Sequence, residues 1–199
     1  MAARFSLREL DRFYRFHARI YDFTRPFLLF GRSAAARSLR AGPGDLVLDV
    51  GCGTGANLKH LLEGGATVVG VEPSSAMLAQ AEARLAGVEK QRVRLDPRPY
   101  GTHQDYAGRA TCVLFSYSLS MIPPFADVLA RARADLRPGG RLAVVDFLDA
   151  TAPVARALAA SHVHLGPARL HEIQRLFPRH RFEVHRTPGW RYFQVLAEA

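Results

Sequence analysis

Features that mark several other protein classes are scarce or missing in this chain of 199 residues. Two cysteines are too few for a disulfide framework, so we expect a reduced, cytosolic protein. No spacing of histidine, cysteine or carboxylate residues matches a metal site, and we expect no metal. The longest apolar runs, such as residues 27–30 and 111–115, are far too short to span a bilayer, and the first residues lack the apolar core of a signal peptide. These absences argue against secreted domains stabilised by disulfides, metal-dependent proteins and integral membrane proteins.

The composition fits one modest domain whose centre is nearly neutral. Hydrophobic residues make up 48% of the chain and charged residues 23%, which is enough apolar surface to bury a full core. Residues 1–40 carry nine arginines and three acids, a net charge of +6. Residues 41–155 have a net charge of −1, and residues 156–199 have a net charge of +4. The positive charge therefore belongs to the two ends of the chain.

A glycine-rich segment, LDVGCGTG at residues 48–55, directly follows an apolar run. It predicts a strand that turns through Gly51, Gly53 and Gly55 into a helix, because only glycine brings bare backbone so close to a nucleoside ligand. The G-x-G-x-G spacing differs from the G-x-G-x-x-G of dinucleotide sites. Asp49, just ahead of the glycines, would repel phosphate. The segment therefore indicates a nucleoside ligand that is cationic or zwitterionic.

Two further landmarks follow in order. Residues 67–71 predict a buried strand that is closed by Glu72, 17 positions after Gly55 and near the offset of a ribose-binding acid. Pro73 and Ser74 then start a helix that runs through Met77. The segment LRPGGRLAVVDF, residues 136–147, predicts a helix end, a turn and the fifth strand.

Together the three landmarks resemble those of class I S-adenosylmethionine-dependent methyltransferases. The resemblance implies an α/β, Rossmann-like fold with a seven-stranded, mostly parallel sheet, helices on both faces and an N-terminal helical cap. It implies a cap over residues 1–40, a cofactor-binding domain over residues 41–199, and S-adenosyl-L-methionine as cofactor, with S-adenosyl-L-homocysteine as product. The positions that it assigns to cofactor binding are Asp49, Gly51, Cys52, Gly53, Thr54, Gly55, Glu72, Pro73, Met77, Asp96 and Ser116.

One of these assignments departs from the family pattern. The family commonly has an acid in a Gly-Asp-Ala context after the third strand, where it bonds the adenine amino group. This chain has DPRPYGTHQDY instead, with Asp96 as the nearest candidate and Asp105 as the next. Asp96 is equally explained as a turn residue at a strand end.

The remaining pattern predicts a regular alternation of strands and helices. Strands are expected near residues 45–50, 67–72, 91–95, 111–117 and 141–147. Helices are expected up to residue 21 and near residues 32–39, 55–63, 74–86 and 125–136. A helical stretch over residues 153–177 precedes a closing hairpin of residues 181–186 and 191–196. The ligand should lie beyond the carboxyl ends of the parallel strands, where the strand order reverses.

The first 20 residues place arginines at helical spacing beside large apolar side chains. The arginines are Arg4, Arg8, Arg12, Arg15 and Arg19. Such a helix suits an anionic membrane surface, where each basic residue contributes about 1 kcal/mol. The alternative is a solvated arginine face whose apolar side packs on the core. Nucleic acid is disfavoured as a partner, because the aromatics have helical core spacing and no nucleic-acid-binding motif is present.

Two segments outside the cofactor motifs bear on the substrate. HARIYDFTRPFLLFGR (residues 17–32) and FSYSLSMIPPF (residues 115–125) resemble segments of the bacterial betaine-lipid N-methyltransferases. Those enzymes methylate the amine of diacylglyceryl homoserine to give diacylglyceryl trimethylhomoserine. The resemblance implies a lipid substrate and a peripheral position on the cytoplasmic face of the membrane. A phosphatidylethanolamine N-methyltransferase, a soluble small-molecule methyltransferase and a catalytically silent module that binds lipid or RNA remain alternatives.

The chemistry of amine methylation suggests which residues act. An in-line displacement needs a neutral, oriented amine that is shielded from water. Tyr21 and Tyr117 are the candidates for orienting the amine, and His17 is a candidate proton acceptor. The alternative is that both tyrosines are packing residues with one hydrogen bond each.

Substrate binding has its own candidates. Arg25 and Arg32 flank the apolar PFLLF, and either guanidinium could hold the carboxylate of homoserine, as could Arg169. Ser118 follows the fourth strand at the expected mouth of the cleft. The alternative for each arginine is an ordinary surface position.

Overall fold

The computed structural model describes residues 29–103 and 105–199. The predicted N-terminal helix and its arginines, together with His17, Tyr21 and Arg25, lie outside the described residues. The first described helix, α1, covers Arg32–Ser38 and follows Gly31, whose φ of 82° lets the chain turn into the helix.

A seven-stranded sheet forms the centre of the domain, in the order β3-β2-β1-β4-β5-β7-β6. Only β7 runs antiparallel to its neighbours, β5 and β6, so the predicted mostly parallel sheet is confirmed. The strands are β1 Leu46–Val50, β2 Thr67–Val71, β3 Val93–Asp96, β4 Ala110–Ser116, β5 Leu136–Ala150, β6 Arg179–Arg186 and β7 Trp190–Glu198.

The helices connect and cover these strands. They are α1, α2 Leu58–Glu63, α3 Ser75–Arg84, α4 Phe125–Asp135, α5 Ala152–Ala160 and α6 Ala168–Leu176, with a 3-10 turn at Leu119–Met121. The helix predicted from residue 55 begins only at Leu58, because Gly55 has a φ of 78°. The predicted helical stretch over residues 153–177 is two helices, since His162 and Gly166 take φ values of 60° and 121° between them. The fifth strand begins at Leu136 rather than near residue 141, because Leu136 already pairs with Ala110 of β4.

Two apolar layers cover the sheet because the central strands are buried on both faces. β4 is buried along its whole length, as its nearly continuous apolar sequence predicts. Alternate side chains enter opposite layers, so that Cys112 faces α1, α2 and α5 while Val113 faces α4 and α6. No helix within residues 29–103 and 105–199 is long and apolar enough to cross a membrane.

The strand order reverses between β1 and β4, which extend the sheet in opposite directions. In open α/β sheets, the ligand crevice lies outside the carboxyl ends of the strands at this point. The glycine-rich segment leaves β1 here, and the segment from Tyr117 onward leaves β4. The fold thus brings the two most informative sequence segments to one edge of the sheet.

Candidate active site

The glycine loop between β1 and α2 is shaped by positive φ angles. Gly51, Gly53 and Gly55 have φ values of 71°, 56° and 78°. The Gly51 N–H donates to the Val71 carbonyl at 2.8 Å, which ties the loop to the end of β2. A Cβ on Gly51 would lie 2.4 Å from the Ser118 Cβ. Glycine is therefore required at position 51 both by the backbone conformation and by the loop that leaves β4.

Asp49 is a buried carboxylate that the described residues compensate only in part. It is 0% exposed in β1, and neither carboxylate oxygen has a hydrogen bond of good geometry with a described residue. Burial raises the pKa of Asp49 to about 7 and the charge of Glu72 adds to the rise, although the charge of Arg32 and the side chain of Asn57 oppose it. An unpaired carboxylate in such a position would be stabilised by a ligand that brings a positive charge.

Glu72, at the end of β2, holds the glycine loop from the other side. Its Oε2 accepts from the Gly53 N–H at 3.1 Å, and its Oε1 accepts from the Ser74 N–H at 2.9 Å. Burial raises the pKa of Glu72, and these two hydrogen bonds lower it. Each oxygen retains a lone pair, so the carboxylate can still accept from a pair of ligand hydroxyls.

Asp96 stands at the carboxyl end of β3, beside Glu72, whose N–H donates to the Asp96 carbonyl at 3.0 Å. Its carboxylate is already engaged. The Arg98 Nε donates to Oδ1 at 2.9 Å, and the Tyr106 hydroxyl donates to Oδ2 at 2.8 Å. These bonds, those of Arg98 above all, hold the pKa of Asp96 well below its usual range. Asp105, the second candidate, is more exposed and pairs with Arg98 at 2.6 Å.

The segment after β4 forms the opposite wall of the crevice. Tyr117 takes a φ of 56°, which is uncommon for a tyrosine and directs the chain back toward the glycine loop. Its hydroxyl donates to the Phe30 carbonyl at 2.8 Å. The Ser118 hydroxyl donates to the Val50 carbonyl at 2.6 Å, and the Ser116 hydroxyl is buried without a hydrogen-bond partner among the described residues. Burial raises the pKa of Tyr117 strongly, so its phenol stays neutral.

Asp146 is a site-forming residue that the sequence reasoning missed. It is buried in β5, and its Oδ2 accepts from the Ser120 N–H at 2.6 Å, which holds the 3-10 turn behind Tyr117 and Ser118. Burial raises the pKa of Asp146, while the charge of Arg169 lowers it. The available signal was an acid inside an otherwise apolar strand, since a buried acid is retained only where it is paired.

The prediction for Arg169 requires a correction. The sequence makes Arg169 a candidate to bind a substrate carboxylate, with an ordinary surface position as the alternative. It is only 3% exposed and donates to the Phe147 carbonyl at 3.1 Å and to the Gly166 carbonyl at 3.3 Å. Its charge faces Asp146 from inside the domain, so Arg169 supports the fold beneath the crevice.

Other predicted cofactor residues differ in what they expose. The side chains of Cys52, Thr54 and Met77 are buried, and the Cys52 sulfur packs against Gly70 of β2. Cys52 and Thr54 belong to the loop and Met77 to α3, so contact with a ligand falls to their backbone groups or to a small part of the side chain. Pro73 is half-buried and leads from Glu72 into α3.

The residues gathered at this edge fit S-adenosylmethionine. The buried and unpaired carboxylate of Asp49 suits the ammonium of its methionine moiety, Glu72 suits the ribose hydroxyls, and the glycine loop leaves room for the backbone to approach. Arg32 lies close enough to oppose the rise in the Asp49 pKa and offers a positive charge for a carboxylate. No group of three or more potential metal ligands occurs among residues 29–103 and 105–199.

Comparison with known proteins shows what the centre of the chain is similar to. Residues 48–142 match a protein-family model described as a methyltransferase domain. This central part of the chain is therefore similar to methyltransferase domains. The match begins in β1 and ends in β5, so it contains the glycine loop, Glu72, Asp96 and the segment after β4. The match supports S-adenosylmethionine as the cofactor that the site fits.

The curated relatives that the chain matches are named for different methyl acceptors. Demethylmenaquinone methyltransferase of Beutenbergia cavernae is 34% identical over 138 residues, which cover 65% of this chain and 54% of that protein. Trans-aconitate 2-methyltransferase of Deinococcus radiodurans is 37% identical over 119 residues, which cover 57% of this chain and 43% of that protein. The chain thus spans about half the length of these curated relatives.

Among solved structures, the chain is similar to a phosphoethanolamine N-methyltransferase of Haemonchus contortus in complex with phosphomonomethylethanolamine and S-adenosylhomocysteine. The TM-score is 0.81 at 15% identity, and the match covers 98% of this chain and 61% of that one. At this identity the likeness concerns the fold, and it confirms the Rossmann-like methyltransferase architecture.

Proposed function

We propose that this protein transfers methyl groups from S-adenosylmethionine to the amine headgroup of a membrane lipid, and that its acceptor is diacylglyceryl homoserine. The observation that carries the proposal is where the segment after β4 lies. The sequence of this segment resembles one in the betaine-lipid N-methyltransferases. In the structure Ser118 of this segment packs against Gly51 and bonds the end of β1. An acceptor held by this segment would lie beside the cofactor loop.

Tyr117 is suited to orient the amine. Its hydroxyl hydrogen is committed to the Phe30 carbonyl, so the phenol oxygen can offer its lone pairs to an amine N–H. Because burial keeps the phenol neutral, Tyr117 would orient the amine and would not remove its proton. His17, which lies outside the described residues, is the proposed proton acceptor, and Tyr21 is the second proposed orienting group. S-adenosylmethionine supplies the electrophilic methyl group, and the protein supplies alignment and the exclusion of water.

Arginines near the crevice are suited to the homoserine carboxylate. Arg32 is half-buried at the start of α1, and its Nε has no hydrogen-bond partner among the described residues. A planar guanidinium binds a carboxylate through two parallel hydrogen bonds, which would also fix the headgroup orientation. Arg25 would act with it from the preceding segment.

Aromatic side chains at the same edge support a lipid-facing entrance. Phe30 is 46% exposed and stacks on Trp190 with ring centroids 6.0 Å apart. Tryptophan and phenylalanine beside basic residues are typical of a membrane interface. We propose that residues 1–40 form a cap over this entrance and that their net charge of +6 holds the protein peripherally on an anionic, cytoplasmic membrane surface.

A second candidate acceptor is a demethylated quinone. It is favoured by the similarity to the demethylmenaquinone methyltransferase of Beutenbergia cavernae. Carbon methylation of a quinol ring needs no amine-orienting group, so this candidate leaves the arrangement of Tyr117 without a role in catalysis.

The test is radiolabelled methyl transfer from S-adenosylmethionine to detergent-dispersed acceptors. The acceptors are diacylglyceryl homoserine, phosphatidylethanolamine, demethylmenaquinone and a no-lipid control, and the Asp49→Asn variant measures background. We expect label on the homoserine lipid and on its methylated products. Label on phosphatidylethanolamine alone would move the acceptor to phospholipids, and label on demethylmenaquinone alone would replace amine methylation by quinone methylation. Binding of S-adenosylhomocysteine without label on any lipid would overturn the lipid proposal.

A further inference from the structure

A second cavity lies beside the glycine loop, on the side where α1 and α2 meet. It has a volume of about 480 Å³. Its described lining contains three arginines and a histidine but no aspartate or glutamate. The polar side chains of the lining are Arg32, Ser33, Arg37, Asn57, His60 and Arg84. We call this cavity the basic cleft.

The cationic groups of the basic cleft are held in place by different elements. The Arg84 guanidinium reaches from the end of α3 to the Thr54 hydroxyl at 3.4 Å. The His60 Nδ1 lies 3.4 Å from the Glu63 carboxylate, and its Nε2 lies 3.4 Å from the Ser33 hydroxyl. Arg37 is exposed and forms no ion pair with a described residue. α1 and α3 thus direct arginine side chains toward one space, and α2 adds the His60 imidazole.

The positive charge that lines the basic cleft is offset only in part by neighbouring carboxylates, since Glu63 lies beside His60 and Asp49 lies near Arg32. Like charges around a concave, partly desolvated space repel one another more strongly than on an open surface. A bound anion would reverse the sign of these interactions and would accept hydrogen bonds from several guanidinium groups at once. A doubly charged phosphate has enough oxygens to do so. The volume exceeds what a bare phosphate fills, which favours a phosphate that carries an organic group.

We propose that the basic cleft binds a phosphate monoester group, either from a soluble metabolite or from a lipid headgroup. The site lies beside the crevice at the carboxyl ends of β1 and β4 and shares Arg32 with it, and it does not depend on which acceptor is methylated. Arg37 and Arg84 bind the phosphate oxygens, and His60 adds a donor at the rim. Arg32 lies between the cleft and Asp49, so it borders both spaces.

The test measures binding to the full chain by calorimetry, with glycerol 3-phosphate and inorganic phosphate as probes. We expect glycerol 3-phosphate to bind and Arg37→Gln to weaken it at least about fivefold, with at least about twentyfold for Arg37→Gln combined with Arg84→Gln. Arg156→Gln is the matched control, since Arg156 is an exposed arginine on α5 outside the cleft. Equal losses for Arg37→Gln and Arg156→Gln, or no binding of either probe or of phosphatidic acid vesicles, would overturn the proposal.

Vesicles separate the two sources of phosphate. The protein is floated with phosphatidylcholine vesicles that contain or lack phosphatidic acid. A lipid source is identified if the protein is retained on the vesicles only when phosphatidic acid is present. That retention should fall in Arg37→Gln but not in Arg156→Gln. Binding of soluble phosphate monoester without vesicle retention identifies a metabolite source. S-adenosylhomocysteine affinity is measured alongside, and Arg37→Gln should leave it unchanged. Loss of phosphate binding with intact S-adenosylhomocysteine binding thereby separates this site from the methyl-transfer site.

Discussion

Replacing Asp49 by asparagine should make the cofactor-free protein more stable at pH 8 while weakening its hold on the cofactor. The buried Asp49 has its pKa raised from 3.8 to about 7. At about 1.4 kcal/mol per pH unit, this difference corresponds to roughly 4 kcal/mol that the folded state loses when the carboxylate ionises. Asparagine has a similar shape and no charge, so Asp49→Asn avoids that loss.

The pH dependence follows from the sign of the pKa change. Because the folded state holds the Asp49 proton more tightly than the unfolded state, stability falls as pH rises from about 4 to about 7 and is level above that range. The stability advantage of Asp49→Asn should therefore grow by roughly 2 to 3 kcal/mol between pH 5 and pH 8. In a domain of this size that corresponds to a growth in the Tm difference of about 4 to 12 °C.

The assay is thermal and urea unfolding of both proteins without cofactor, at several pH values from 5 to 8. Asp149→Asn is a control of opposite sign, since its hydrogen bond with Arg191 lowers the pKa of Asp149 and contributes stability at neutral pH. A stability difference between Asp49→Asn and the parent that is the same at pH 5 and pH 8 would refute the reasoning. So would an Asp49→Asn protein that is less stable than the parent at pH 8.

Three further outcomes are expected. Affinity for S-adenosylmethionine, measured by calorimetry, should rise up to about tenfold per pH unit below pH 7 and level off above it. The reason is that Asp49 must be ionised to pair with an ammonium. An affinity that does not change with pH would contradict this. Gly51→Ala should abolish cofactor binding, and its free energy of unfolding should be at least about 2 kcal/mol lower than that of Gly139→Ala. Both glycines have positive φ, but of the two only Gly51 meets a neighbouring side chain. Equal losses of unfolding free energy in the two variants would contradict the role of that contact. Tyr117→Phe should lower the free energy of unfolding by about 1 kcal/mol, because one hydrogen bond is lost. It should also lower kcat on the lipid amine and leave the affinity for S-adenosylhomocysteine unchanged. An unchanged kcat would show that Tyr117 has only a packing role.

Much of the architecture could be predicted because its signals are local. Apolar runs that end in an acid or a glycine mark parallel strands that are buried on both faces, and β1 and β2 begin and end within one or two residues of their predicted bounds. The glycine spacing likewise predicted the loop at the carboxyl end of β1. These features depend on a few neighbouring residues and on backbone geometry.

What could not be predicted depends on contacts between distant residues. The engagement of Asp96 by Tyr106, the hydrogen bond from Tyr117 to the Phe30 carbonyl and the burial of Arg169 beside Asp146 all follow from tertiary packing. An arginine in a polar stretch has the same local signature whether it faces solvent or a buried carboxylate. The basic cleft could not be predicted either, because its arginines and its histidine come from three helices that only the fold brings together.

The position of β7 between β5 and β6 constrains the order in which the protein can be assembled during synthesis. Among the strands that the structure describes, β6 pairs only with β7, and β7 pairs with β5 over Trp190–Glu198, so the hairpin cannot be completely added to the sheet until residue 198 is available. Until then β5 presents an unpaired and largely apolar edge to its surroundings. At about 5 to 20 residues per second, the roughly 50 residues that separate the end of β5 from the end of β7 take about 2 to 10 s to synthesise. For those seconds the nascent chain is a template for pairing with other chains, and slower translation lengthens its exposure.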